Sequence, residues 1–127
     1  MAKNNRIFIA FPSEDSKYRD FLVGQARNEK SPFSFVDMSV KEPWDEKWRT
    51  NCNSKIKGCD GLIFLVTSNL KKADGAIWEI KCAKKEGIPI LGIYIGNSTY
   101  IDVPTDLWSE TCKSWTWDNI AGFINYL

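Results

Sequence analysis

The chemistry this chain could perform centres on Glu79, which follows Trp78 near the start of an apparent helix at residues 75–86. On a helical wheel Ala76, Ile77, Ile80 and Ala83 form the buried arc, and Lys81, Lys84 and Lys85 form the solvated face. Glu79 falls on the border of the buried arc, away from the lysines. A carboxylate on that border can be partly desolvated and so tuned for a functional role, or it can serve as a local cap or ion pair. Glu86, seven residues on, shares that side. Two further ligand groups, Asp37 and Ser39, and one ring, Trp44, lie in the polar stretch 37–44, where ordinary loop capping is the alternative reading. Trp78 suits a ligand-lining position and a core position equally well. The chain has no histidine, and Cys52, Cys59, Cys82 and Cys112 form no C-x-x-C pair. This argues against a zinc site, and no metal is expected. It equally argues against Cys-His or Ser-His catalysis, leaving acid–base work to Asp, Glu, Lys, Tyr or Cys.

The elements that must position Glu79 follow from the hydrophobic pattern. Residues 62–66 and 88–95 are near-continuous apolar runs, as in parallel strands covered on both faces. The intervening helix, with Asp74 placed to cap it and Gly87 to end it, completes a βαβ unit. Upstream, residues 6–11 read as the first strand and residues 16–28 as a helix. That helix gathers Tyr18, Phe21, Leu22, Gln25 and Ala26 on one face, with Lys17, Arg19 and Asp20 toward water. Residues 33–36 form a second strand with Phe33 and Phe35 on one side. Residues 44–57 form a helix whose Trp44, Trp48, Cys52 and Ile56 make an i, i+4 core-facing stripe. After a turn at residues 96–99 and an irregular stretch at 100–110, residues 111–117 read as an edge strand. Asp118 is placed to cap a final helix with Ile120, Ala121, Ile124 and Leu127 inward. The expectation is one α/β domain over residues 1–127: a three-layer, doubly wound, parallel five-stranded sheet of flavodoxin-like order 2-1-3-4-5. In such folds a carboxylate near the start of this helix lies over the C-terminal edge of the sheet, where ligands bind.

A formal charge of +1 gives no electrostatic case for a nucleic-acid or anionic-membrane partner. There is no membrane-length apolar run, and the opening residues MAKNNR have no apolar signal core, so a cytoplasmic location is expected. Six tryptophans are hard to bury in 127 residues, and some should line a pocket or an interface. Neither G-x-G-x-x-G nor a P-loop occurs, and Phe11-Pro12-Ser13-Glu14 is a poor flavin-phosphate loop. A phospho-accepting receiver domain needs an Asp ending its third strand, where this chain has Val66-Thr67-Ser68-Asn69.

Taken in order, Phe8-Ile9-Ala10-Phe11…Asp15, then Phe35-Val36-Asp37-Met38-Ser39, then Ile77-Trp78-Glu79-Ile80…Ala83 with Gly87-Ile88-Pro89-Ile90, form a set. That set resembles TIR-like domains, in particular the bacterial flavodoxin-like branch that includes the Thoeris antiphage sensor subunit. Ala10 stands where TIR domains often carry a small hydroxyl residue, and Trp78 lies nearer the glutamate than in many of them. The resemblance implies an enzyme that breaks the nicotinamide–ribose bond of NAD and cyclises or transfers the ADP-ribose part as a nucleotide signal. It implies a catalytic Glu79 and a substrate site drawn from Ala10, Phe11, Asp37, Ser39, Trp44 and Trp78. NAD is then substrate rather than cofactor, and no other cofactor is implied. The partners are a downstream effector reached through the nucleotide and further copies of the chain. A non-enzymatic adaptor acting by self-assembly is the other reading, for which surface tryptophans such as Trp108, Trp115 or Trp117 would argue.

Overall fold

Where apolar residues run unbroken between turn residues the chain forms buried strands, and where they recur every three or four residues it forms helices laid on the sheet. The computed structural model describes residues 5–28, 33–36 and 46–127. Among these, the strands are β1 (Asn5–Ala10), β2 (Phe33–Val36), β3 (Gly61–Val66), β4 (Ile90–Tyr94) and β5 (Cys112–Ser114). The helices are α1 (Ser16–Asn28), α2 (Glu46–Lys57), α3 (Asp74–Lys85) and α4 (Trp117–Tyr126). Every strand pairing is parallel, and the strands lie in the order β2-β1-β3-β4-β5. Among the described residues no helix is long and apolar enough to cross a membrane.

The two-residue period of the strands divides the core in two. Phe8, Ala10, Leu62, Phe64 and Val66 face α2 and α3, meeting Cys52, Ile56, Ala76, Ile80 and Ala83. Ile7, Ile9, Ile63, Leu65, Leu91 and Ile93 face α1 and α4, meeting Leu22, Ile120 and Ile124. Cys52 and Ile56 thus face the core as their spacing indicates. Asp37, Ser39 and Trp44 lie outside the described residues, as do the side chains of Phe33 and Trp48.

Three local expectations are corrected. The N-cap of α3 is Ala73, without a side-chain cap bond, and Asp74 is the first helical residue. The N-cap of α4 is Thr116, whose hydroxyl accepts from the Asn119 amide at 3.1 Å, with Asp118 inside the first turn. Both carboxylates still sit in the first turn, at the positive end of their helix dipoles, one or two positions inside the cap. On α1, Phe21 is 63% exposed, while Leu22, Val23 and Ala26 pack inward with Tyr18. Arg19 is half-buried, its guanidinium lying 5.5 Å over the Phe11 ring. The inward face of α1 is therefore turned by about one residue relative to the wheel.

Gly87 does end α3. It adopts φ +73°, with the Ile88 amide donating to the Ala83 carbonyl and the Gly87 amide to that of Lys84, a Schellman arrangement. A Cβ at Gly87 would meet nothing within 4 Å, so the requirement is purely conformational. Gly87→Ala is expected to cost about 1 kcal/mol in urea denaturation. No measurable loss would mean that the turn relaxes without penalty.

Candidate active site

In this strand order the chain leaves β1 toward one face of the sheet and β3 toward the other, so a crevice opens between their carboxyl ends. The structure has a cleft of about 540 Å³ at that point. One wall is Phe11, Pro12, Ser13 and Glu14, which follow β1, and the other is Lys72 to Ala76, entering α3. Glu79 lies three residues beyond Ala76, on the same side of α3 and one turn deeper. It is 3% exposed. The buried residues of α3 are Ala76, Glu79, Ile80, Cys82 and Ala83, whereas Ile77 is half-exposed. Glu79 is therefore inside the buried arc and not on its border. The cause is α2, which covers a second side of α3 that a wheel drawn for one helix against one sheet leaves open.

From α2 the Cys52 thiol donates to Glu79 Oε2 at 3.4 Å. Burial first, and then the neighbouring Glu79 charge and this hydrogen bond, push the Cys52 thiol far above its ordinary range. Cys52 is thus held as a protonated donor and not as a nucleophile. Burial also raises Cys59 and Cys82. Unfolded thiols release their protons near the ordinary value of 9.0, while the folded protein keeps them. Stability from these groups is consequently complete below that pH and is lost as pH rises through it toward the folded values. Urea unfolding at about pH 8 and about pH 10 should differ by about 1.4 kcal/mol in all for Cys52 alone, a loss removed by Cys52→Ala. A flat profile would contradict the assignment.

Of the residues expected to surround a substrate, Phe11 lines the cleft. Ala10 does not line it but is fully buried beneath it in the α2–α3 core. Trp78 is turned away, because adjacent helical residues point about 100° apart; it lines a separate groove between α2 and α3. Glu86 is exposed and lies beside Lys57 at 4.0 Å. Asp37, Ser39 and Trp44 are the remaining three, in the stretch joining β2 to α2 outside the described residues.

The sequence reading missed a second polar cluster at the same sheet edge. Asp15 is buried after β1 and accepts from the Thr67 hydroxyl and, at 3.0 Å, from Asn69 Nδ2. Asn69 also donates its backbone amide to Thr67 Oγ1 at 3.1 Å. The network ties the loop after β1 to the loop after β3 and borders a polar hollow of about 400 Å³ with Tyr18, Asn97 and Asp102. The available signal was topological: residues just after β1 and β3 must converge at this edge.

The cleft, α2 and Glu79 all fall within the part of the chain, residues 8–100, that matches the family described as Thoeris protein ThsB, TIR-like domain. The chain belongs to that family. Membership points to a role in antiphage defence. No curated protein matches the chain. The match runs from the second half of β1 through β4, so the family signature covers the wall-and-helix frame around Glu79 and stops short of β5 and α4.

Proposed function

We propose that this domain cleaves the nicotinamide–ribose bond of NAD and turns the ADP-ribose part into a cyclic or conjugated nucleotide signal, with Glu79 as the catalytic carboxylate. The observation that carries this reading is a carboxylate buried one helical turn below the cleft at the sheet's crossover point, within a ThsB TIR-like frame. Removing a carboxylate from water costs several kcal/mol, so a charge is held here at an energetic cost. A site that holds such a group has a use for it.

The chemistry suits the group. As the C1′–N bond breaks, its electron pair goes to the cationic nicotinamide nitrogen, which leaves neutral, so no histidine acid is needed. Positive charge develops on the ribose, as in glycoside cleavage. A carboxylate that hydrogen-bonds the ribose hydroxyls stabilises that charge by about 3 kcal/mol or more in a dry site. The C1′ cation is then captured by water, releasing a proton, or by a nucleophile of the ADP-ribose part itself. Exclusion of water by rings such as Phe11, with Trp44 as a further candidate, decides between hydrolysis and cyclisation. Asp37 and Ser39 are proposed to bind substrate polar groups. The nucleotide would act on a separate effector protein, in the cytoplasm. The test is mass spectrometry of nucleotides after incubation with NAD, and of extracts from phage-infected cells, for wild type and Glu79→Gln. Nicotinamide and an ADP-ribose-derived product that disappear in the variant support the reading; identical profiles in both settings sink it.

One observation favours the adaptor reading instead. Tyr100 and Ile101 are 61% and 60% exposed and Trp108 is 55% exposed, with Tyr100 and Trp108 packed edge to face at 6.0 Å. Trp115 and Trp117, also considered for such a surface, are half-buried against the core. Concentration-dependent assembly lost in Trp108→Ala, with no NAD turnover under any condition, would select it.

A further inference from the structure

α2 and α3 both run back along the sheet, so they are parallel to each other, and their side chains face across in matched levels. Asn53 of α2 meets Cys82 of α3, whose thiol donates to Asn53 Oδ1 at 2.6 Å. One turn lower, Lys57 meets Glu86 at 4.0 Å. One turn higher, the same spacing sets Arg49 level with Trp78. The groove between the two rows is about 480 Å³. Its lining carries four cations, Arg49, Lys57, Lys81 and Lys85, against one carboxylate, Glu86. In a chain with 17 basic and 16 acidic residues, that is a local concentration of positive charge. Trp78 places an indole at the upper end, and the cations continue below it. Asn53, its Oδ1 occupied by Cys82, keeps its Nδ2 group as a donor midway.

We infer that this groove binds a phosphate-bearing nucleotide, at a site separate from the cleft above Glu79. A flat ring followed by a row of cations is the complement of a base followed by a diphosphate: the base stacks on Trp78, and the phosphates descend toward Lys81, Lys85 and Lys57. From residue 49 to residue 57 the row spans about 12 Å, the reach of an extended nucleoside diphosphate. Lys81 already pairs with Asp106 at 3.0 Å and Lys57 with Glu86, but these are exposed pairs of small net worth that a doubly charged phosphate can outcompete. The floor of the groove is Cys82 and Asn53, and Asn53 is the chain neighbour of Cys52, which holds Glu79. An occupant therefore bears on the helix pair that positions the buried carboxylate.

The test is calorimetric titration of the full chain with ADP at low and at physiological salt, with inorganic pyrophosphate as competitor. ADP is not a substrate for nicotinamide cleavage, so the outcome is independent of the proposed reaction. ADP should bind, pyrophosphate should displace it, and affinity should fall with salt. Lys81→Gln combined with Lys85→Gln should weaken binding about tenfold or more, and Trp78→Leu about fivefold. Circular dichroism verifies that each variant is folded. Ser13→Ala with Glu14→Gln, in the wall of the cleft, should leave ADP affinity unchanged. The inference is overturned if ADP fails to bind, if the lysine pair changes affinity less than about twofold, or if the cleft variant loses binding equally.

Discussion

Glu79→Gln is expected to reduce nucleotide production from NAD by about 10²- to 10³-fold, the loss typical when one preorganised electrostatic group aimed at a developing charge is removed. The variant preserves shape and one acceptor oxygen for the Cys52 thiol, and exchanges the charge and the second acceptor for a neutral amide donor. In wild type that charge is 3% exposed, with the Cys52 thiol donating to it at 3.4 Å, and holding a charge out of water costs stability that a neutral amide does not. The same substitution should therefore leave the thermal midpoint unchanged or raise it, the usual sign of a group retained for activity. The two readouts separate the possibilities. Loss of activity with an equal or higher midpoint identifies a catalytic carboxylate. A sharp fall in the midpoint would identify Glu79 as a structural tie between α2 and α3, and full activity would remove it from the mechanism.

Gly92→Val is expected to be the most damaging single change in the sheet. Valine has the better strand propensity, so by local preference alone the substitution would help by up to about 1 kcal/mol. Packing decides otherwise. Gly92 lies on β4 directly between Phe64 of β3 and Cys112 of β5. A Cβ there would come within 2.5 Å of both the Phe64 ring and the Cys112 sulfur. Phe64 is fully buried, so its ring cannot swing aside without opening the α2–α3 side of the core. Overpacking of this kind costs about 1–3 kcal/mol for a modest intrusion, and two clashes with a branched side chain should reach the upper end or beyond. Urea denaturation of Gly92→Val should show that loss, and Gly92→Val with Phe64→Leu should recover part of it. A variant as stable as wild type would mean that the two neighbours are not locked in place.

What the sequence determined alone is what nearest neighbours along the chain decide. Uninterrupted apolar runs at β3 and β4 required strands buried on both faces, and the α/β class with a parallel sheet followed. The α1 span, the stop at Gly87 and the core-facing Cys52 and Ile56 came from periodicity and backbone freedom, which are properties of a few consecutive residues. Ordered motifs from Phe8 to Ile90 pointed to the TIR-like family in the same way. Tertiary structure decided the rest, because it depends on what packs on an element's second side. Glu79 moved from the border to the interior of α3 because α2, donating Cys52 from 27 residues away, covers that flank. Trp78 left the cleft for the basic groove for the same reason, since one helix next to another divides adjacent side chains between different surroundings. Cap positions at Ala73 and Thr116 followed the backbone angles and not the nearest acidic side chain. The Asp15–Thr67–Asn69 network joins residues more than fifty apart, and only the parallel pairing of β1 with β3 brings them to one edge.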